Sequence, residues 1–147
     1  MRGDDGLGPL IIAAMRKEGM IDTDLVQKDG EGATLIDAWN GRQSVVLVDA
    51  LSSGKQPGRI HFLDVGVVHI PRVMFPFSSH TFGVAEAIAL SRQLGILPPR
   101  FVLAGIEGES FALGQGLSLA VQRSVPEFLR LLRERIDAIV HPIPGGG

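Results

Sequence analysis

The chain contains no cysteine. That absence removes disulfide scaffolds, zinc–thiolate sites, iron–sulfur clusters and cysteine nucleophiles together. It also has no excess of one charge: 14 basic against 16 acidic residues leave a net charge of −2. Such a balance lacks the electrostatic footprint of a nucleic-acid or anionic-membrane binder, so neither partner is expected. No run approaches the roughly 20 apolar residues of a membrane span. The longest early run, residues 10–15, is six residues long. The first residues are acidic and glycine-rich, unlike the basic and then apolar start of a secretory leader. A cytoplasmic protein is expected. No internal repeat is visible, and no G-x-S-x-G elbow surrounds a serine, which argues against a serine hydrolase. Gly114-Gln115-Gly116 is too short and too late in the chain for a dinucleotide fingerprint.

What is abundant is punctuation. The 147 residues include 19 Gly and 9 Pro, and between them lie short apolar runs. The length suits one domain with a real core, expected over residues 1–141, followed by a Pro/Gly tail at 142–147. Pro9 reads as a first-turn proline of a helix that Gly19 stops. Residues 25–27 suggest a short strand, 33–39 a short helix, and 44–49 a strand apolar on both faces, as in a buried parallel sheet. Residues 58–64 alternate well enough for a strand, and the prolines of 65–77 exclude a long element there. A helix is expected over 83–94 with Gly95 as its stop, a buried strand over 101–106, and a last helix over 125–136 with Ser124 as N-cap and Pro126 in its first turn. This order predicts an α/β fold, a three-layer sandwich around a mostly parallel twisted sheet.

Ligands of open α/β sheets bind beyond the carboxyl ends of the strands. Three polar positions meet that condition: Asp49 ends an apolar strand, His80 lies in the loop before the 83–94 helix, and Asp4-Asp5 precede the first helix. One imidazole with two carboxylates suits a divalent transition metal. Each residue also has a structural reading: a helix-start Asp caps, a strand-end Asp turns, and a loop His caps a helix. His61 and His69 read as a solvated face or a satisfied core, with His61→Ala expected to be nearly silent. The acids of Glu107-Gly108-Glu109 read as a solvated loop after a strand. Residue chemistry alone leads to an α/β domain with a candidate metal site at a strand edge.

Five segments in order add a resemblance: Arg2-Gly3-Asp4-Asp5-Gly6-Leu7-Gly8, Val46-Leu47-Val48-Asp49-Ala50, Ser78-Ser79-His80-Thr81-Phe82-Gly83-Val84, Leu97-Pro98-Pro99 with Gly105-Ile106-Glu107, and Gly114-Gln115-Gly116-Leu117-Ser118. In this order they resemble the [NiFe]-hydrogenase maturation endopeptidases, which remove the C-terminal peptide of the hydrogenase large-subunit precursor after nickel insertion. The resemblance implies a metal triad of Asp5, Asp49 and His80, with nickel carried by the substrate precursor and not held permanently. It also implies hydrolysis of an amide, with Asp49 or Asp5 as base for the attacking water. Members of that family often carry Glu where Asp5 stands. They also open with a central parallel strand ahead of the acidic block, so Met1 is expected to be an internal methionine. The second reading is a non-catalytic remnant, which lacks that strand and binds precursor or metal without cleaving. A small-molecule α/β enzyme is a third.

Overall fold

The computed structural model describes residues 6–19, 23–75, 80–109 and 116–141. Four helices and three strands follow in the order α1 (Leu7–Lys17), α2 (Gly32–Trp39), β1 (Ser44–Leu51), β2 (Ile60–Asp64), α3 (Val84–Gln93), β3 (Arg100–Glu107) and α4 (Leu119–Val140). A 3-10 turn, Arg72–Met74, follows Pro71. The strands are ordered β1-β3-β2. β1 runs parallel to β3 from Ser44↔Arg100 to Leu51↔Glu107. β2 runs antiparallel to β3, with Phe62 opposite Ala104.

The expected sheet was mostly parallel; the observed one is mixed, with one parallel and one antiparallel pair. Strand direction depends on how the chain returns to the sheet. The return from β1 to β2 is a short loop, too short for the dozen or more residues a parallel crossover needs. The α/β class and the helices on both faces agree with expectation.

Alternation assigns the layers. In β1, Ala50 and the partly buried Val46 and Val48 join Leu7, Ile11 and Met15 of α1 and Phe128 and Leu132 of α4. Leu51, with Val45 and Leu47, joins Trp39 of α2, Ala87 and Ile88 of α3, and Phe101 and Leu103 of β3. Residues one apart thus serve opposite cores, as a pleated strand buried on both faces requires. The α2/α3 layer is tied to the sheet by Trp39, whose Nε1 donates to the buried Ser91 Oγ at 2.9 Å. Its ring meets Phe101 edge-on at 4.9 Å. On the other face Phe62 of β2 stacks on Phe128 of α4 at 5.9 Å, with the Arg135 guanidinium 4.7 Å from the Phe62 centroid. Aromatic pairs of this kind add about 0.5–1.5 kcal/mol each beyond the area they bury.

Two further elements differ from expectation. Residues 25–27 are not in a strand. They form part of the stretch 24–29 that lines a cavity facing β1, and an apolar run becomes a strand only when a neighbour accepts its backbone. The last helix begins at Leu119, capped by Ser118, whose Oγ accepts from Val121 N at 3.4 Å. Pro126 is therefore inside α4 and not in its first turn. Ser124 serves not as a cap but as a link to the loop before β2: its Oγ donates to the Gly58 carbonyl at 2.5 Å. The tail expected at 142–147 lies outside the described residues.

Candidate active site at the carboxyl ends of the parallel strands

Asp49 is half-buried in β1, two residues before its end. Parity with Leu47 and Leu51 places it on the face covered by α2 and α3. Its Oδ1 accepts from the following Ala50 N at 2.8 Å, which fixes the carboxylate against its own backbone. Across the sheet Asp49 aligns with Gly105 and then with His61. Gly105 is required by close approach. A Cβ there would stand 2.5 Å from the Asp49 carbonyl oxygen and 2.7 Å from Leu51, which leans over the position.

His80 lies on the same side, in the loop leading to α3. Its side chain is 27% exposed, with Nε2 3.6 Å from Asp29 Oδ2. Asp29 and Asp49 both line one cavity of about 900 Å³, which runs along β1. The loop is held from both directions. Gly32 N donates to the Phe82 carbonyl at 2.8 Å, and a Cβ on Gly32 would fall 2.1 Å from the Phe82 ring. At the other end Gly83 N donates to Glu86 Oε1 at 2.9 Å, fixing the start of α3. Glu31 caps α2 by accepting from Ala33 N and Thr34 N, each at 2.9 Å. Those two backbone donors, with smaller help from Thr34 and the His80 imidazole, hold its carboxyl below the usual 4.5.

Asp49 and Asp29 therefore line one cavity, and His80 adjoins it through its contact with Asp29. Asp5, Ser78 and Ser79 lie outside the described residues. Among the described residues no three of His, Asp and Glu gather closely enough to hold a metal ion. Two acids went unrecognised in the sequence, Asp29 and Glu31. Only the Gly32–Phe82 contact brings the turn Lys28-Asp29-Gly30 to His80.

A third acid is misplaced by the sequence reading. Glu107 is not in a solvated loop; it is 2% exposed at the end of β3. Its carboxylate accepts from Ser53 N at 2.7 Å, from Ser53 Oγ at 2.5 Å, and lies 3.1 Å from His61 Nε2. His61 is thus the satisfied core histidine of its two expected alternatives. The cluster clamps the loop after β1 onto β3. Ser52 N, in the same loop, donates to the Met74 carbonyl at 2.9 Å, tying it to the segment that leads toward His80.

A family model described as hydrogenase maturation protease matches residues 15–134. The chain belongs to that family. It is a peptidase family, and the expected resemblance is thereby shown. The hydrogenase expression/formation protein HupD of Thiocapsa roseopersicina is 26% identical over 108 residues, covering 71% of this chain and 48% of that protein. The chain thus spans about half the length of that relative. Among solved structures, an endopeptidase from Escherichia coli superposes with a TM-score of 0.79 at 21% identity, over 95% of this chain and 87% of the other. The hydrogenase maturating endopeptidase HybD from E. coli gives 0.71 at 19% identity, over 94% and 86%. The [NiFe] hydrogenase maturation protease HybD from Thermococcus kodakarensis gives 0.61 at 20% identity, over 92% and 91%. These structures share the fold. No described helix is long and apolar enough to cross a membrane.

Proposed function

We propose that this protein is a cytoplasmic endopeptidase that removes the C-terminal peptide of a nickel-loaded [NiFe]-hydrogenase large-subunit precursor. The family match over residues 15–134 carries the reaction class. The observation that supports the site is that Asp49 and Asp29, the latter 3.6 Å from His80, line one cavity along β1. Asp5, Asp49 and His80 would meet the nickel of the substrate, a carboxylate-and-imidazole donor set suited to that ion. Asp49 or Asp5 would take a proton from the attacking water as its oxygen adds to the scissile carbonyl. The same carboxyl would then return the proton to the leaving amine nitrogen as the C–N bond breaks.

The test is cleavage of purified precursor, with and without nickel, followed by mass spectrometry of the shortened product. Cleavage of the nickel-loaded form alone is expected. Failure to cleave either form favours the non-catalytic remnant.

A further inference from the structure

The loop that joins β1 to β2 is anchored more heavily than its exposure explains. Ser53 N and Oγ donate to the buried Glu107 carboxylate at 2.7 and 2.5 Å. Ser52 N donates to the Met74 carbonyl at 2.9 Å. At the other foot Gly58 N donates to the Glu107 carbonyl, and Glu107 N to the Arg59 carbonyl, both at 2.8 Å. Gly58 has a φ of +90°, and a Cβ there would stand 2.9 Å from the Ala120 carbonyl oxygen, so this foot is pressed against α4. Yet residues 53–57, between the feet, are exposed and supply no side chain to either core. A buried carboxylate is a poor source of stability, since well-packed apolar residues of the same volume often do as well or better. What this network fixes is the position of the loop.

That position adjoins the candidate site. Ser52 follows Asp49 by three residues, about 10 Å of strand. The bond from Ser52 reaches Met74, whose neighbour Phe75 lines the same cavity as Asp49. The loop carries two cations, Lys55 and Arg59, and residues 50–63 contain no acid. Both residues are exposed, and neither side chain makes an ion pair or hydrogen bond with the described residues. The acids of the surrounding segments are engaged elsewhere: Glu107 by Ser53 and His61, Glu86 by Arg72 and Gly83 N, and Glu109 also has a partner. We propose that residues 53–59 are a preformed recognition loop for the substrate protein. Lys55 and Arg59 take an acidic stretch of the precursor, and Glu107 is the positioning residue that holds the loop ready for it. A loop already fixed in its binding conformation loses less entropy when the partner arrives, so its cations gain more affinity than they would on a mobile segment. Charges in such exposed positions act mainly through association and are weakened by salt.

The inference rests on the peptidase reading for the identity of the partner, so its test reads binding and cleavage separately. Equilibrium binding of purified nickel-loaded precursor and the kinetics of its cleavage are measured at about 0.05 and 0.3 M salt. Lys55→Glu and Arg59→Glu should each raise Kd and KM about tenfold at the lower salt and less at the higher, with kcat within about twofold of the parent. Lys55→Arg should behave as the parent. Glu107→Gln, assayed where circular dichroism shows it folded, should also raise KM. In that background Lys55→Glu should cost at least about threefold less than in the parent, because a loosened loop no longer presents the cation. A Glu107 that served stability alone would lower the amount of active protein and leave KM and the coupling unmoved. Ser53→Ala, which removes one donor from an exposed residue, gives the same reading if Glu107→Gln does not fold. Unchanged Kd and KM in both charge reversals overturn the proposal, and additive effects of Glu107→Gln and Lys55→Glu overturn the role of Glu107. If the charge reversals weaken binding but the parent does not cleave, the loop stands and the peptidase reading falls. If the variants bind and cleave as the parent does, the peptidase reading stands and the loop falls.

Discussion

Removing the Glu107 carboxylate should be among the most damaging single changes in the protein. Glu107 is 2% exposed and accepts two hydrogen bonds from Ser53 and one contact from His61. Glu107→Ala leaves the Ser53 amide, the Ser53 hydroxyl and the His61 ring nitrogen without their acceptor. Hydrogen bonds to a charged group contribute about 1.5–3 kcal/mol each. The groups relax in part, so the loss should come to about 3–5 kcal/mol, the range for breaking a buried charged pair. Glu107→Gln keeps the shape and one accepting oxygen but sets an amide NH₂ against a donor, and should cost about 1.5–3 kcal/mol. His61→Ala should cost about 1–2 kcal/mol, contrary to the silence expected of an isolated histidine. Because the two residues touch, the double variant should be less unstable than the sum of the singles by at least about 0.5 kcal/mol. Urea unfolding followed by far-ultraviolet circular dichroism measures the parent and all four variants on one scale. A Glu107→Ala variant within about 0.5 kcal/mol of the parent, the range of ordinary surface changes, would refute the buried clamp.

His80→Ala should abolish precursor cleavage while the urea midpoint moves by less than about 0.5 kcal/mol equivalent, since the side chain is partly exposed. Normal processing by that variant would remove His80 from the site. Gly32→Ala should destabilise by about 1–3 kcal/mol, because its methyl meets the Phe82 ring and carbonyl at once. Thermal unfolding reads that loss, and an unchanged midpoint would place the ring elsewhere. Glu31 has a folded-state pKa below its unfolded value of about 4.5, so its cap stabilises above that pH and fades as pH falls through the lower folded value. The stability gap between parent and Glu31→Gln should accordingly be widest near pH 7 and close toward pH 2–3, as urea titrations at several pH values would show.

Much of the sheet was legible because its signals are local. The run Val45 to Val48 is apolar at every position, and only a strand covered on both faces uses such a run. The 83–94 helix announced itself by its spacing and by Gly95. Other features depend on residues far away in the chain. Nothing near Glu107 in sequence distinguishes a clamp from a solvated acid, since Ser53 and His61 lie 54 and 46 residues away. The antiparallel direction of β2 is set by the path of its connection, which alternation cannot report. Pro126 resembled a helix start because prolines favour the first turn; packing of Val121 and Phe128 on the sheet extends α4 through it instead. At the site, Asp49 and His80 were visible as strand-end and loop residues, whereas Asp29 reached His80 only by folding.

Gly105 has a consequence for anyone who varies this protein. Its missing side chain is what lets Leu51 cross from β1 over β3, and the nearest obstacle to a methyl there is a backbone carbonyl, which cannot rotate away. In a library randomised at that one codon and sorted for folded yield, glycine alone should be recovered. Codon 51 should return only aliphatic residues that fill the same gap. The two positions form a single steric unit in the middle of the sheet, and a designer who wishes to reshape the neighbourhood of Asp49 must change them as a pair.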